Sequence, residues 1–203
     1  MAFLRRLASD QAGVTVVEFA LVAPVFLLLL VGIFDLGHMV YSRSVLQGAM
    51  QDAGRDSSLE SASTAQAGID AYVTSQVQAV IPSAVLEFER KNYRDFTKVG
   101  MPEDIVDKNN NDQYDEDECF YDTFDASGNR NGLWDKDIGR DGVGGANDVV
   151  LFTATTTYDR VFPLWRLIGV GQEVQISAST VLRNQPFATQ SQRPTVLVCP
   201  DED

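Results

Sequence analysis

An acidic stretch in the middle of the chain carries oxygen-bearing side chains at alternate positions. Positions 1, 3, 5, 7, 9 and 12 of a calcium-binding loop correspond to Asp107, Asn109, Asn111, Gln113, Asp115 and Glu118. In such a loop, residue 7 offers its backbone carbonyl and residue 12 both carboxylate oxygens. Asp112 stands at position 6, where the sharp turn favours glycine, and Asp reaches that left-handed conformation at some cost. The spacing therefore predicts a Ca²⁺ site.

A weaker copy of this pattern follows further along the chain. It has Gly132 at position 6, but Ser127 replaces the first Asp and Ile138 stands where the bidentate Glu belongs. The carboxylates favour a hard cation over zinc. The alternative is that Asp, Asn and Gly form Asx-turns and solvated acidic loops without any metal. The candidate ligands of this copy are Asn129, Asn131, Asp135 and Asp137.

Cys119 and Cys199 are the only two cysteines. In an oxidising compartment such a pair is more often bridged than free, and we expect an intrachain disulfide. Two unpaired thiols, or a bridge to another subunit, are the alternatives. A bridge would tie the acidic stretch to the C-terminal tail.

Composition argues against several classes of protein. The formal net charge is −13, from 16 Lys and Arg against 29 Asp and Glu, so a nucleic-acid binder with a basic face is not expected. Fourteen of those acidic residues lie within residues 103–148. One histidine makes His-based zinc sites and His-dependent triads hard to build. No catalytic constellation is recognisable, and we expect that the protein is not an enzyme.

The N-terminal region contains a long apolar segment. Val14 to Phe34 is long enough to cross a hydrocarbon core of roughly 30 Å as a helix. Arg5 and Arg6 precede it, which places the N-terminus in the cytoplasm and the rest of the chain outside. A plain signal anchor and a cleaved secretory signal are alternatives, but the run is longer than the usual apolar core of a secretory signal.

Glu18 is an unusual residue inside this apolar segment. A carboxylate at mid-membrane costs about 2.5–3.5 kcal/mol and needs a partner. If a peptidase cut after Gly13, Val14 would carry a new α-amine one helical turn from Glu18. In packed helices, Glu18 could then pair with the amine of a neighbouring subunit and set the register. The alternative is a solvated residue at the edge of a shorter span.

The N-terminal region resembles the prepilin family. Like the members of that family, it has a basic leader, Gly at position −1 and Glu at position +5 relative to the cleavage site, and an apolar helix. The stretch GVTVVEFALVAPVFLLLLVGIFDLG is similar to the start of TadE-type minor pseudopilins of the bacterial tight-adherence (Flp-type) pilus system. The resemblance continues at 88–96 (FERKNYRDF), 131–137 (NGLWDKD), 144–150 (GGANDVV) and 181–187 (VLRNQPF). It departs from better-known prepilins in having Val14, rather than Phe, at +1.

This resemblance implies a function in pilus assembly after cleavage following Gly13. The implied partners are a prepilin peptidase, other pilins or pseudopilins, the assembly platform and the membrane. It also implies a bacterial inner-membrane location, with the C-terminal part in the periplasm or in a pilus. The alternative function is an uncleaved, membrane-anchored, calcium-dependent adhesion or binding module.

The remaining chain predicts an α+β fold, with a long N-terminal helix and a small, mostly antiparallel sheet. Helical stripes run through Leu46 and Met50, and from Ile69 to Val80, with a break at residues 54–61. Strands are expected at 85–93, 149–158 and 173–182, with an irregular tail after Phe187. The predicted segments are a leader (1–13), a transmembrane helix (14–40), a helical stem (41–81) and an α+β domain (82–203) with the acidic insert 103–148.

Overall fold

The computed structural model describes residues 14–57, 62–123, 129–162 and 165–200. It confirms the α+β class: a long helix and a second helix precede two small antiparallel sheets. The predicted leader, including Gly13, lies outside the described residues.

The first helix, α1, runs from Val14 to Ser57 and stays helical through Pro24. Its C-terminal half carries the predicted apolar stripe, since Leu46, Met50 and Ala53 are buried. The helix passes through the start of the predicted break at residue 54, because Gly54 lies against Thr180 of a later strand. A Cβ built on Gly54 would be 3.0 Å from the Cγ2 atom of Thr180.

The second helix, α2 (Ala62–Gln78), packs back against α1. Ile69, Val73 and Val77 recur at helical spacing and are buried, as the stripe predicted. After Gln78, the chain turns before the first strand, and the Gln78 side-chain amide donates to the Ala84 carbonyl oxygen at 3.1 Å.

The larger sheet has the strand order β4-β1-β5-β6, with every pair antiparallel. The three long strands match the predicted segments within one residue at each end. Short strand β4 joins the edge of β1 through Lys91 and Asn92. The bounds are β1 Val85–Tyr93, β4 Arg140–Asp141, β5 Val149–Asp159 and β6 Glu173–Arg183.

The smaller sheet has the order β2-β3-β7 and is formed by the acidic insert and the tail. Its strands are β2 Ile105–Val106, β3 Cys119–Asp122 and β7 Val196–Val198. We expected an irregular tail after Phe187, but the tail contains the short strand β7. Three residues are too few for a periodic pattern, and β7 forms because β3 offers a paired edge.

One hydrophobic core joins the helices to the larger sheet. Alternate residues of β5 and β6 face the helices, and Phe152 and Ala154 are fully buried against them. The predicted stem contributes Leu46 and Val73 to this same core. The stem and the strand-rich part therefore share one core.

A buried polar cluster fixes the tail to the sheet edge. Asp148 is 2% exposed, and its Oδ2 atom lies 2.7 Å from the Arg193 guanidinium. Arg193 also donates to the Asn92 side-chain oxygen at 2.6 Å. Because a buried charge is costly unless it is paired and hydrogen-bonded, this pairing holds the tail in place.

Candidate functional site: the anchoring helix and two acidic loops

The N-terminal half of α1 does not contribute to the hydrophobic core. Among the described residues, one helix is long and apolar enough to cross a membrane, and its most apolar stretch is not buried against the rest of the protein. Large side chains such as Val16, Phe19 and Leu21 are exposed on successive faces. A helix that is hydrophobic all round requires lipid or other helices, and this one indicates a membrane anchor.

Glu18 is exposed on this apolar part of the helix. It lies one turn beyond Val14, the first described residue, whose backbone is helical. Glu18 therefore lies one helical turn from the start of the helix. Processing at Gly13 and the role of Glu18 in assembly stay predictions.

The anchor meets the globular part at Asp35. The Asp35 carboxylate forms an ion pair with the Arg160 guanidinium, which follows β5. One turn later, the His38 ring contacts the Tyr158 ring edge-to-face, with centroids 5.9 Å apart. These contacts fix the β5–β6 end of the larger sheet on the helix just after the apolar segment ends.

The first acidic loop curls around the Asp107 carboxylate. Asp107 Oδ1 accepts from the Asn110 amide at 2.6 Å, and Oδ2 accepts from the Asp112 amide at 2.9 Å. Asp112 has φ 56°, the left-handed conformation expected at position 6, and Asn110 has φ 60°. Backbone hydrogen bonds, with that of Asp112 the largest, lower the pKa of Asp107.

The other predicted ligands of this loop also come together. Asp115 Oδ2 accepts from the side-chain amides of Asn109 at 2.7 Å and Asn111 at 2.9 Å. The backbone amide of Gln113 donates to the Asn111 side-chain oxygen at 2.7 Å.

The buried carboxylate of Glu118 accepts hydrogen bonds from both ends of the first loop. It is 1% exposed, and its Oε1 atom accepts from the Lys108 amide at 2.7 Å. Its Oε2 atom accepts from the Asp115 amide at 3.4 Å. The carboxylate at position 12 therefore joins the two ends of the loop.

The second loop repeats part of this geometry. Gly132 has φ 69°, matching the left-handed turn at position 6. The Asn131 side-chain oxygen accepts from the Leu133 amide at 2.8 Å, and its amide nitrogen donates to Asp135 Oδ2 at 3.2 Å. Asn131 and Asp135 are thus brought together.

Asp137, another candidate ligand of the second copy, is bound by residues of β1. Asp137 accepts from the Lys91 ammonium at 2.8 Å and from the Tyr93 hydroxyl at 3.2 Å. Burial raises the pKa of Tyr93 to about 12, and the hydrogen bond to Asp137 adds to the shift. Asn129 lies exposed at the start of the loop. Asp137 is accordingly part of an ion pair with β1.

Sequence reasoning missed two carboxylates that contact the second loop, Glu103 and Asp122. Glu103 Oε2 accepts from the Asp135 amide at 3.2 Å, and Asp122 Oδ2 accepts from the Gly132 amide at 3.1 Å. Both are buried, at 2% and 3% exposed. Neither stands at a loop-template position relative to Asn131, so no local spacing could have found them.

Aromatic side chains connect the two loops. The Tyr114 and Trp134 rings stack with centroids 4.8 Å apart, and each stands at position 8 of its loop. The Trp134 indole also donates to the Glu103 carbonyl oxygen at 3.2 Å. The loops are consequently packed against each other.

The two cysteines are joined in a disulfide, Cys119–Cys199, as predicted for an intrachain bridge. The bridge lies directly after Glu118 and ties β3 to the end of the tail. It therefore anchors the closing end of the first loop.

Metal-ligating side chains do not form a ready-made carboxylate cage. In the parts of the chain that the structure describes, no group of three or more His, Cys, Asp or Glu is placed to hold a metal ion. Any cation at these loops would be held by fewer carboxylates together with asparagine and backbone oxygens, or would draw the carboxylates together.

The geometry defines a class of protein: a membrane-anchoring helix continuous with a compact α+β domain that carries two acidic loops. Residues 13–55 match the model of a family described as TadE-like protein, which confirms the resemblance for the anchoring helix. This match indicates involvement in the tight-adherence pilus system, with the membrane and pilus components as partners. Comparison with curated proteins and with solved structures gave no match.

Proposed function

We propose that this protein is a minor pseudopilin that takes part in assembling a tight-adherence pilus after cleavage following Gly13. The observation that carries this proposal is the position of Glu18 on an exposed apolar helix, one turn beyond Val14. The family match begins at Gly13, the residue that would precede the cut. The proposed role is structural rather than catalytic.

The proposed mechanism has two stages. Before assembly, the apolar half of α1 holds the subunit in the bacterial inner membrane, with Arg5 and Arg6 in the cytoplasm. After a prepilin peptidase exposes the Val14 amine, Glu18 of one subunit pairs with that amine on its neighbour. A buried ion pair of this kind selects register, because a mismatched helix would leave a charge unpaired in an apolar setting.

The disulfide supports the orientation of this topology. Bridges persist in oxidising compartments such as the periplasm and are rare in the cytosol. The Cys119–Cys199 bridge therefore supports a topology in which the domain beyond Asp35 lies on the periplasmic side or on a pilus. Other pilins, pseudopilins and the assembly platform would meet it there.

Substitution of Glu18 by an apolar residue tests its role in assembly. We expect Glu18→Val to insert into the membrane at wild-type levels but to reduce surface pili by at least tenfold. The matched control is Val17→Glu/Glu18→Val, which keeps the composition and moves the carboxylate about 100° around the helix. Membrane fractionation and counts of sheared pili are the measurements. Normal piliation in both variants would overturn the pairing mechanism.

The alternative is an uncleaved, membrane-anchored, calcium-dependent adhesion module. The observation that favours it is the first loop, in which Asp112 has the left-handed conformation of position 6 and the Asp107 and Glu118 carboxylates accept backbone hydrogen bonds within the loop. The two proposals differ at the N-terminus, since an adhesion module retains residues 1–13. Surface attachment that requires millimolar calcium but no pilus would favour the alternative.

A further inference from the structure

We propose that the second acidic loop is a Ca²⁺ site completed by two carboxylates from outside the loop, Glu103 and Asp122. With Asn131 and Asp135 they form a ligand set that the spacing of the loop alone does not contain. The site would take a divalent hard cation through carboxylate, amide and carbonyl oxygens.

The two loops of this chain have equivalent hydrogen bonds at position 6. In the first loop, the amide of Asp112 donates to Oδ2 of Asp107, the residue at position 1. In the second, the amide of Gly132 donates to Oδ2 of Asp122. Asp122 therefore occupies the role of the missing first ligand, although it precedes Gly132 by ten residues.

A second equivalence holds at position 9. In the first loop, the amide of Asp115 donates to Oε2 of Glu118, the bidentate residue of the template. In the second, the amide of Asp135 donates to Oε2 of Glu103. Position 12 of the second loop is Ile138, which has no carboxylate, and Glu103 takes the role of that missing residue.

An unpartnered oxygen points to the ligand. Asp122 is 3% exposed, and among the described residues its Oδ1 atom has no hydrogen-bond partner, while Oδ2 faces the loop through Gly132. A buried carboxylate oxygen without a partner is strongly unfavourable. The first loop has no such atom, since Asp107 accepts backbone hydrogen bonds with both oxygens.

Calcium fits this arrangement better than zinc or magnesium. Zn²⁺ prefers His and Cys, and neither occurs among these four residues. Mg²⁺ demands near-octahedral geometry and keeps its waters, whereas Ca²⁺ accepts six to eight oxygens in irregular positions. Because the acidic side chains do not yet converge, binding would draw Asp135 toward Asp122 and Glu103 and stiffen the loop.

The test uses the full chain in detergent, with the first loop silenced by Asp107→Asn. Calcium binding is measured by equilibrium dialysis with CaCl₂. We expect the Asp107→Asn protein to retain one bound calcium, and addition of Asp122→Asn or Glu103→Gln to lower its affinity at least tenfold. Asp159→Asn, at the exposed end of β5, is the matched control and should leave binding unchanged.

Folding is checked separately by circular dichroism and by the mass of the intact disulfide form. If a buried substitution prevents folding, Asn131→Ala carries the same expectation, because Asn131 is exposed and its loss leaves the core intact. The proposal is overturned if the Asp107→Asn protein binds no calcium at millimolar concentration. It is equally overturned if the folded variants at positions 122, 103 or 131 bind as tightly as Asp107→Asn alone.

Discussion

Asp35 and Arg160 form an ion pair across 125 residues of sequence, and this pair marks the point where the anchor becomes part of the globular domain. Before Asp35, most of the large apolar side chains of the helix are exposed, and Val14 to Phe34 spans about 30 Å. After it, the helix packs against the sheet. The domain is therefore held at the membrane boundary rather than on a flexible tether.

Loss of the Asp35–Arg160 pair should destabilise this junction. Both side chains are largely buried, so we expect Arg160→Gln to cost about 2 kcal/mol of unfolding free energy, since it leaves Asp35 without its charged partner. Chemical unfolding of the full chain in detergent is the measurement. The double variant Asp35→Asn/Arg160→Gln should cost less than the sum of the single changes.

The matched control is the exposed pair between Lys98 and Asp104, with Nζ and Oδ1 2.8 Å apart. Lys98→Gln should change stability by less than about 1 kcal/mol, because exposed pairs contribute little. Equal effects of Arg160→Gln and Lys98→Gln would contradict the structural role of the junction.

Gly139 is required by a close approach to the Tyr93 ring. A Cβ at this position would lie 2.6 Å from Tyr93 Cζ, and Tyr93 is fully buried. We expect Gly139→Ala to destabilise the protein by about 1–3 kcal/mol through overpacking. Gly48→Ala, in open space on α1, should instead stabilise it by about 1 kcal/mol. Thermal unfolding distinguishes the two, and a shift of the same sign in both would count against this packing.

Tyr93 predicts a loss of stability at alkaline pH. Its pKa is raised to about 12 in the folded protein, chiefly by burial, against an ordinary value of 10.0. The folded state therefore keeps a proton that the unfolded state releases, and stability present below pH 10.0 falls as the pH rises toward about 12. Tyr93→Phe should show a smaller fall over this range. Unfolding curves at several alkaline pH values measure it, and an identical slope for both proteins would refute the assignment.

The Cys119–Cys199 bridge closes a long loop, with a sequence separation of 80. Cys119→Ser/Cys199→Ser should lose up to roughly 4 kcal/mol of stability on chain-entropy grounds, because the unfolded chain regains that loop's freedom. Non-reducing mass spectrometry establishes the bridge first. Comparison of the unfolding midpoints of the native and double-serine proteins then gives its contribution, and unchanged midpoints would exclude a stabilising role.

Local patterns account for much of this fold. Strands β1 and β5 follow from runs of β-branched and aromatic residues, and β6 follows from its alternation of apolar and polar residues. The buried face of α2 follows from its helical spacing. The first acidic loop is equally local, since its turns and contacts lie within residues 107–118. Short-range spacing is sufficient where an element is stabilised by its own sequence.

The features that escaped prediction depend on distant partners. Strand β7 requires β3 and the bridge at Cys199, and α1 continues past Gly54 because that glycine packs on Thr180. The role of Asp122 depends on a tertiary contact with Gly132, which no loop template contains. Asp137 looked like a loop ligand, but β1 brings Lys91 to it.

We propose that the chain is processed like a prepilin, and the N-terminus of the mature protein is the sharpest test of this processing. Intact mass and N-terminal sequencing of the protein from its native membrane are the measurements. We expect a chain that begins at Val14, with Glu18 as its fifth residue. A mature chain that begins at Met1 would contradict this expectation and favour an anchored module, and a start just beyond the apolar segment would mean an ordinary secreted protein.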